Sequence, residues 1–285
     1  MFLRLRFPPC LFQRRSLSTL IARSSNFTSA SKDLDSSKAN VLPIRIPTRG
    51  VDVLVYTDVK DVEAGALKQL RDVAESGAVV GHVAAMPDVH LGMGATIGSV
   101  FASKEYVAPN AVGVDIGCGM GAVLVRGLYK DVRRAMLEQM QTLIKKRIPT
   151  GFNWHRRPLD SAEERLADIT ARHPPSRWLK EKLRADGKVA TQLGTLGGGN
   201  HFLELVHDEA GRVWIMLHSG SRNIGNITAS HYNNAARLQM RQLKELHQSN
   251  AELNFLKIES EEGQNYLKDM EWCQRYAFEN RWEFS

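Results

Sequence analysis

Four short segments of the chain carry side chains of the kinds that bind divalent ions or phosphate. In Val112-Gly-Val-Asp-Ile-Gly-Cys-Gly-Met120, Asp115 and Cys118 stand three apart among glycines, which let a backbone curl until both groups aim at one point. Met86-Pro-Asp-Val-His90 supplies Asp88 and His90, Leu193 to Phe202 supplies Asn200 and His201 behind a run of glycines, and His218-Ser-Gly-Ser-Arg222 supplies His218 and Arg222. Carboxylate, thiolate and imidazole together suit a borderline ion, Zn or Mn, better than Mg or Ca. A thiolate lying between two ions could bridge them, and such a pair clamps the attacking and leaving oxygens of phosphoryl transfer. Each residue alone has a plainer reading, a glycine-rich turn with one cysteine or a hydrogen-bonded surface histidine. The glycines before Asn200 resist it, because a glycine run costs backbone entropy and implies close approach to the main chain.

The elements that must position these groups are strands and their end loops. Alternating or β-branched runs predict strands at 51–56, 78–86 (ending at Pro87), 95–103, 121–126, 202–206 and 214–217, so Asp115 to Gly119 falls in a loop or bulge between two strands. Helical spacing is found at 62–76, 131–147, 161–173, 177–184, 224–247 and 263–282. The Ser/Gly/Arg loop after His218 feeds a helix N-terminus, a natural seat for phosphate oxygens to which Arg222 can add a bidentate contact. Lys145-Lys-Arg147 and Trp154-His-Arg-Arg157 could grip RNA phosphates and stack a base, or be no more than a solvated helix end and loop. Cys273 lies on the apolar side of the last helix and is expected in the core. The pattern predicts an α/β (α+β) fold with a central mixed sheet or pair of sheets, outer helices and a cleft at strand ends.

Composition narrows the class. The 285 residues suffice for a sizeable core, and no apolar run is long enough to span a bilayer, so no membrane association is expected. Residues 1–40 form a separate segment, rich in Arg and Ser, with no acid before Asp33: the profile of an organelle transit peptide, more mitochondrial than plastid, or else a disordered basic tail. They hold seven Lys and Arg against two Asp and Glu; removed from totals of 38 and 31 they leave 31 and 29, a net of +2. Bulk basicity therefore gives no argument for nucleic-acid binding. The three cysteines, Cys10, Cys118 and Cys273, make no disulfide framework.

The same four segments resemble the RtcB-type RNA ligases in their short bacterial form, from about Val51 onward, with motifs in order and at similar spacing. The resemblance implies a single compact domain over 41–285 acting, as a monomer and with or without an activating protein, on RNA. The expected reaction is GTP- and Mn-dependent joining of RNA 3′-phosphate or 2′,3′-cyclic phosphate ends to 5′-hydroxyl ends. It implies that Asp115, Cys118 and His201 hold one Mn ion and that Cys118 bridges to a second held by His218. Asn200 would contact GTP phosphates, Asp88 would be a carboxylate needed for activity, and Arg222 would orient a phosphate. Two departures stand out: Asn223 occupies a position where the family usually has Gly, and no histidine follows His247, although the family places its guanylated histidine and a further metal histidine later. The chain is therefore expected to hold the metal-binding part of a ligase domain. A second reading is a metal- or RNA-binding remnant, or a phosphoesterase opening cyclic phosphates. With the family's guanylated histidine not among them, residues 1–285 incubated with labelled GTP and Mn are expected to take up no covalent guanylate; acid-labile labelling would contradict that expectation.

Overall fold

The computed structural model describes residues 42–247 and 250–284. The expected targeting segment, 1–40, and Cys10 lie outside them. β1 (Ile44–Ile46) runs antiparallel to β2 (Asp52–Val55), and α1 (Ala64–Ala74) crosses over to β3 (Val80–His90), parallel to β2. β4 (Ile97–Ala102) closes a four-stranded mixed sheet in the order β1-β2-β3-β4. α1 forms because Ala66, Leu70 and Val73 recur at helical spacing, and it buries that stripe in one core with Val53, Val55, Val83 and Ala85 of the sheet.

β5 (Tyr106–Val107) and the short α2 (Pro109–Val112) lead into β6 (Gly119–Leu128). α3 (Arg134–Arg147), α4 (Ala162–Arg172), α5 (Arg177–Ala185) and α6 (Val189–Gln192) follow, then β7 (Phe202–His207) and β8 (Arg212–Ser219). α7 (Arg222–Met240), β9 (Leu256–Lys257) and α8 (Glu261–Trp282) complete the chain, with β9 pairing antiparallel to β5. β6, β8 and β7 make an antiparallel sheet with β8 in the middle. Its register sets Met120 and Phe202 on either side of His218, so β6 and β7 begin where β8 ends. A second core packs Ile116, Leu193, Ile224 and Tyr232 against Tyr266, Trp272, Cys273 and Tyr276 of α8, as expected for Cys273.

The pair of sheets and outer helices agree with the expected class. Three local expectations fail. β3 does not stop at Pro87 but runs through it to His90, with a break in register between Ala85 and His90 that spares the proline from the hydrogen-bond ladder. Asp115 is preceded by α2 and not by a strand. α7 ends at Met240, so His247 sits beyond the helix, where its backbone N–H donates to Ser76 O. β9 is too short, at two residues, for any periodic signal.

One buried carboxylate ties three elements of the second core. Asp269 of α8 is fully buried and accepts hydrogen bonds from the backbone N–H and hydroxyl of Ser176, both at 2.7 Å, and from the Tyr232 hydroxyl at 2.7 Å. Ser176 in turn caps α5 by accepting from Leu179 N–H. Burial pushes the Asp269 carboxyl above its usual range. Asp269→Ala strands three buried donors and should lower unfolding free energy by about 2–4 kcal/mol in urea titrations. Asp269→Asn, which keeps one acceptor oxygen, should lose less.

Candidate metal centre

Asp115 and Cys118 occupy the turn between α2 and β6, closed by Cys118 N–H donating to Asp115 O at 2.9 Å. His201 precedes β7, and His218 lies one residue from the end of β8. The antiparallel register therefore brings Asp115, Cys118, His201 and His218 to one end of one sheet. One ligand atom each from Asp115, Cys118 and His201 lies within 4.8 Å of the others. His201 Nε2 is 2.7 Å from Asp115 Oδ2 and 3.4 Å from Cys118 Sγ, and His218 Nε2 is 2.9 Å from the same sulphur. Asp88 is exposed on β3 of the other sheet and is not in this group of close atoms; His90, also exposed, turns its Nδ1 to the Asp88 carbonyl at 2.8 Å.

The histidines are oriented from behind. His201 Nδ1 faces Leu196 O at 2.9 Å and His218 Nδ1 faces Asn200 O at 3.2 Å. A carbonyl only accepts, so it assigns the proton of each neutral ring to Nδ1 and turns the Nε2 lone pair inward. This is the usual support for a metal-binding imidazole. Inside the group, two imidazole lone pairs, a carboxylate oxygen and a sulphur converge. Electron-pair donors so arranged repel one another unless a proton or a cation sits among them, and one N/O/S set of this kind fits a borderline divalent ion. Desolvation, reinforced by the hydrogen bond and charge of Asp115 and opposed by Arg281, pushes the Cys118 thiol up to about 12. The metal-free protein therefore holds a neutral thiol, and a bound cation would displace its proton.

Asp115 is itself held in place. Its Oδ1 accepts from the Ser221 backbone N–H at 3.0 Å and from the Ser221 hydroxyl at 3.3 Å. A Cβ on Gly220 would overlap the carboxylate, so only glycine lets that loop pass. Arg222, at φ +59°, is the one non-glycine residue of positive φ among the described residues. Asn223 is thus spared a left-handed conformation, which accounts for a side chain being tolerated there. Arg222 Nε donates to Thr195 Oγ1 at 3.0 Å and Nη2 to Gly151 O at 2.9 Å. Its guanidinium fills the place where a Cβ of Gly197 would stand. Partial burial lowers its proton affinity, though a guanidinium keeps its charge. The Asn200 side chain is exposed beside His201.

Sequence reasoning missed the support beneath these loops. Asn280 of α8 is fully buried, accepts from Gly194 N–H at 2.8 Å and Thr195 N–H at 3.3 Å, and donates to Thr195 O, Ser219 Oγ and Gly220 O. Arg281 Nη1 donates to Gly117 O at 2.7 Å and Ser219 O at 2.9 Å. Neighbours on one helix thus join the loops carrying Asp115, His201 and His218. The spacing of α8 marks its apolar stripe but gives no sign that these polar residues turn inward.

A family model described as "tRNA-splicing ligase RtcB" matches residues 69–284, and the RNA-splicing ligase RtcB of Escherichia coli K12 is 36% identical over 248 residues. The chain belongs to the RtcB family. A second relative, RNA-splicing ligase RtcB1 of E. coli strain ATCC 25922, is also 36% identical over 248 residues. These alignments cover 83% of this chain and 59% of each relative, so this RtcB-family chain spans a little over half the length of the curated relatives it matches. The matched region contains Asp88, the group of close ligand atoms, Arg222 and the supporting helix.

Two outcomes follow from the geometry. Binding of a divalent ion should release close to one proton from Cys118 per protein around neutral pH, because burial raises the thiol pKa and keeps it protonated there without metal. Apparent affinity should rise with pH accordingly, and calorimetry in buffers of different ionisation enthalpy reads the release; Cys118→Ser should abolish it. Asn280→Ala should weaken divalent-ion binding roughly 10-fold or more by loosening the loops that orient the ligands, an effect within the range for outer-shell partners and readable by titration with the metal.

Proposed function

We propose that this chain forms the metal-binding part of a GTP- and Mn-dependent RNA ligase that joins RNA 3′-phosphate or 2′,3′-cyclic phosphate ends to 5′-hydroxyl ends. The observation that carries the reading is the convergence of His201 and His218 on the single sulphur of Cys118, with Asp115 against the same His201 nitrogen, in a chain of RtcB ancestry. Asp115, Cys118 and His201 would hold one ion, and Cys118 and His218 would belong to a second. Bound there, divalent ions would neutralise phosphate charge and stabilise attacking and leaving oxygens.

The remaining roles fall to the chain's own groups. Arg222 is anchored through two of its N–H groups, and a guanidinium has five, so others are free to orient a phosphate oxygen. Asn200 reaches solvent beside His201 and is suited to a nucleotide phosphate. Asp88, on the other sheet, is the carboxylate assigned to support proton transfer. Residues 1–40 are assigned as a mitochondrial targeting segment on their Arg- and Ser-rich composition.

The full-length gene product, given Mn, GTP and two RNAs ending in a 2′,3′-cyclic phosphate and a 5′-hydroxyl, should yield joined RNA. Cys118→Ala and His201→Ala should each lower the rate at least about 100-fold. Opening of the cyclic phosphate without joining would replace the ligase reading with a phosphoesterase. Residues 1–40 fused to a fluorescent protein should direct it to mitochondria; plastid or cytosolic fluorescence would contradict the targeting assignment.

A further inference from the structure

The loop between α3 and α4 carries an aromatic side chain with nothing over it: Phe152 is 95% exposed. Trp154, two residues on, is 42% exposed. A phenylalanine held in water loses the benefit of burial, and a floppy loop would normally fold it down. Here the backbone prevents that. Gly151, at φ +62°, donates its N–H to Gly197 O at 2.7 Å, and its carbonyl accepts from Arg222. The Asn153 backbone and side-chain N–H groups both donate to Thr150 O at 3.1 Å, and His155 N–H donates to Thr191 O at 2.9 Å. The turn is thus laced to α6 and to the loop after it, whose Leu196 carbonyl orients His201. Phe152 is displayed one residue from a group that holds Arg222, at the rim of the metal centre.

The chain on either side of Phe152 carries several exposed cations. Arg156, Arg157 and Lys188 are exposed, as are Lys145, Lys146 and Arg147 at the end of α3. The Lys188 ammonium stands 4.3 Å from the Trp154 ring centroid, which covers one face of that ring and fixes its plane. Phe152's chain neighbours, Gly151 and Asn153, add no apolar side chain beside it. An isolated, rigidly displayed aromatic ring among cations is the arrangement that binds single-stranded nucleic acid, the ring stacking on a base and the cations tracking the phosphates.

We propose that Phe152, assisted by Trp154, Arg156 and Arg157, forms a base-stacking subsite that grips a single-stranded RNA end and feeds its phosphate to the Arg222 side of the metal centre. The inference rests on the RNA reading above and adds a residue-level site for a base. The test uses the 1–285 chain with Mn and short RNAs ending in a 3′-phosphate, carrying 2-aminopurine at each of the three terminal positions in turn. Stacking should quench the fluorophore at one position with the wild type and Phe152→Tyr, but not with Phe152→Ala. Phe152→Ala should weaken binding about 5- to 150-fold, the range for loss of one base–aromatic stack, and an abasic nucleotide at the quenched position should remove that difference. Arg156→Gln/Arg157→Gln should flatten the salt dependence of binding while leaving the quench at saturation. RNA bound equally well by wild type and Phe152→Ala, with no quench, would overturn the stacking subsite and leave the RNA reading standing. No binding of any RNA by the wild type would overturn both.

Discussion

The arrangement depends on the Asp115 carboxylate being held by the Ser221 loop and aimed at His201. Ser221 fixes one oxygen through its backbone N–H, and the other oxygen meets His201 Nε2 at 2.7 Å. The loop before β6, the loop before β7 and the start of α7 are therefore one mechanical unit. Asn280 and Arg281 close that unit from below, by bonds to the backbones of Gly117, Gly194, Thr195, Ser219 and Gly220. A buried polar network of this kind is stabilising only when complete, since each missing partner leaves a desolvated group unpaired. The loops around a metal centre cannot be stabilised by apolar packing alone, because their inner side must stay polar; the hydrogen bonds from α8 take that place.

Sheet register adds a second constraint. His218 sits on the central strand with Met120 and Phe202 as its neighbours, and the ring of Phe202 meets it edge-on at 5.6 Å. Because side chains alternate along a strand, a slip of one residue in β8 would carry His218 to the opposite face and away from Cys118. The turn at Asp115 to Cys118 and the glycines before His201 then need only place their side chains at the beginnings of strands already paired. The flexible-looking residues are glycines, yet two of them act as close-fitting parts: Gly220 beneath the Asp115 carboxylate and Gly197 against the Arg222 guanidinium.

Much of the site was legible because its residue types are chemically unusual together. A carboxylate, a thiol and two imidazoles in glycine-rich segments name a metal class before any fold is known, and the strand predictions put most of them at strand ends. The rest was hidden for physical reasons. Asn280 and Arg281 are ordinary polar residues of a long helix, and only tertiary packing decides that they face inward. Pro87 read as a strand terminator, but a break in register lets the strand pass through it. The polar stretch after Met240 keeps helical spacing while the backbone leaves the helix, since the backbone of His247 is drawn to Ser76. The pairing of β5 with β9 is two residues long and arises from tertiary contact, not from local preference.

The contrast between scaffold and site supplies the last step. On the scaffold side two buried polar side chains are fully engaged: Asp269 receives three donors, and both ends of the Asn280 amide find partners. Among the described residues, the buried side-chain atoms without a hydrogen-bond partner, such as Thr96 Oγ1 and Tyr266 OH, lie outside the ligand group. At the site, with the tautomers set by Leu196 O and Asn200 O, the one thiol proton of Cys118 is shared among two imidazole lone pairs and the Asp115 carboxylate. Such a surplus of lone pairs is costly in a folded protein unless something positive completes it. The same loops hold Arg222 in a left-handed conformation that a β-carbon disfavours. Strain and unmatched acceptors fall within a few residues of each other, and both are sustained by the hydrogen bonds of α8 and the Gly151 turn.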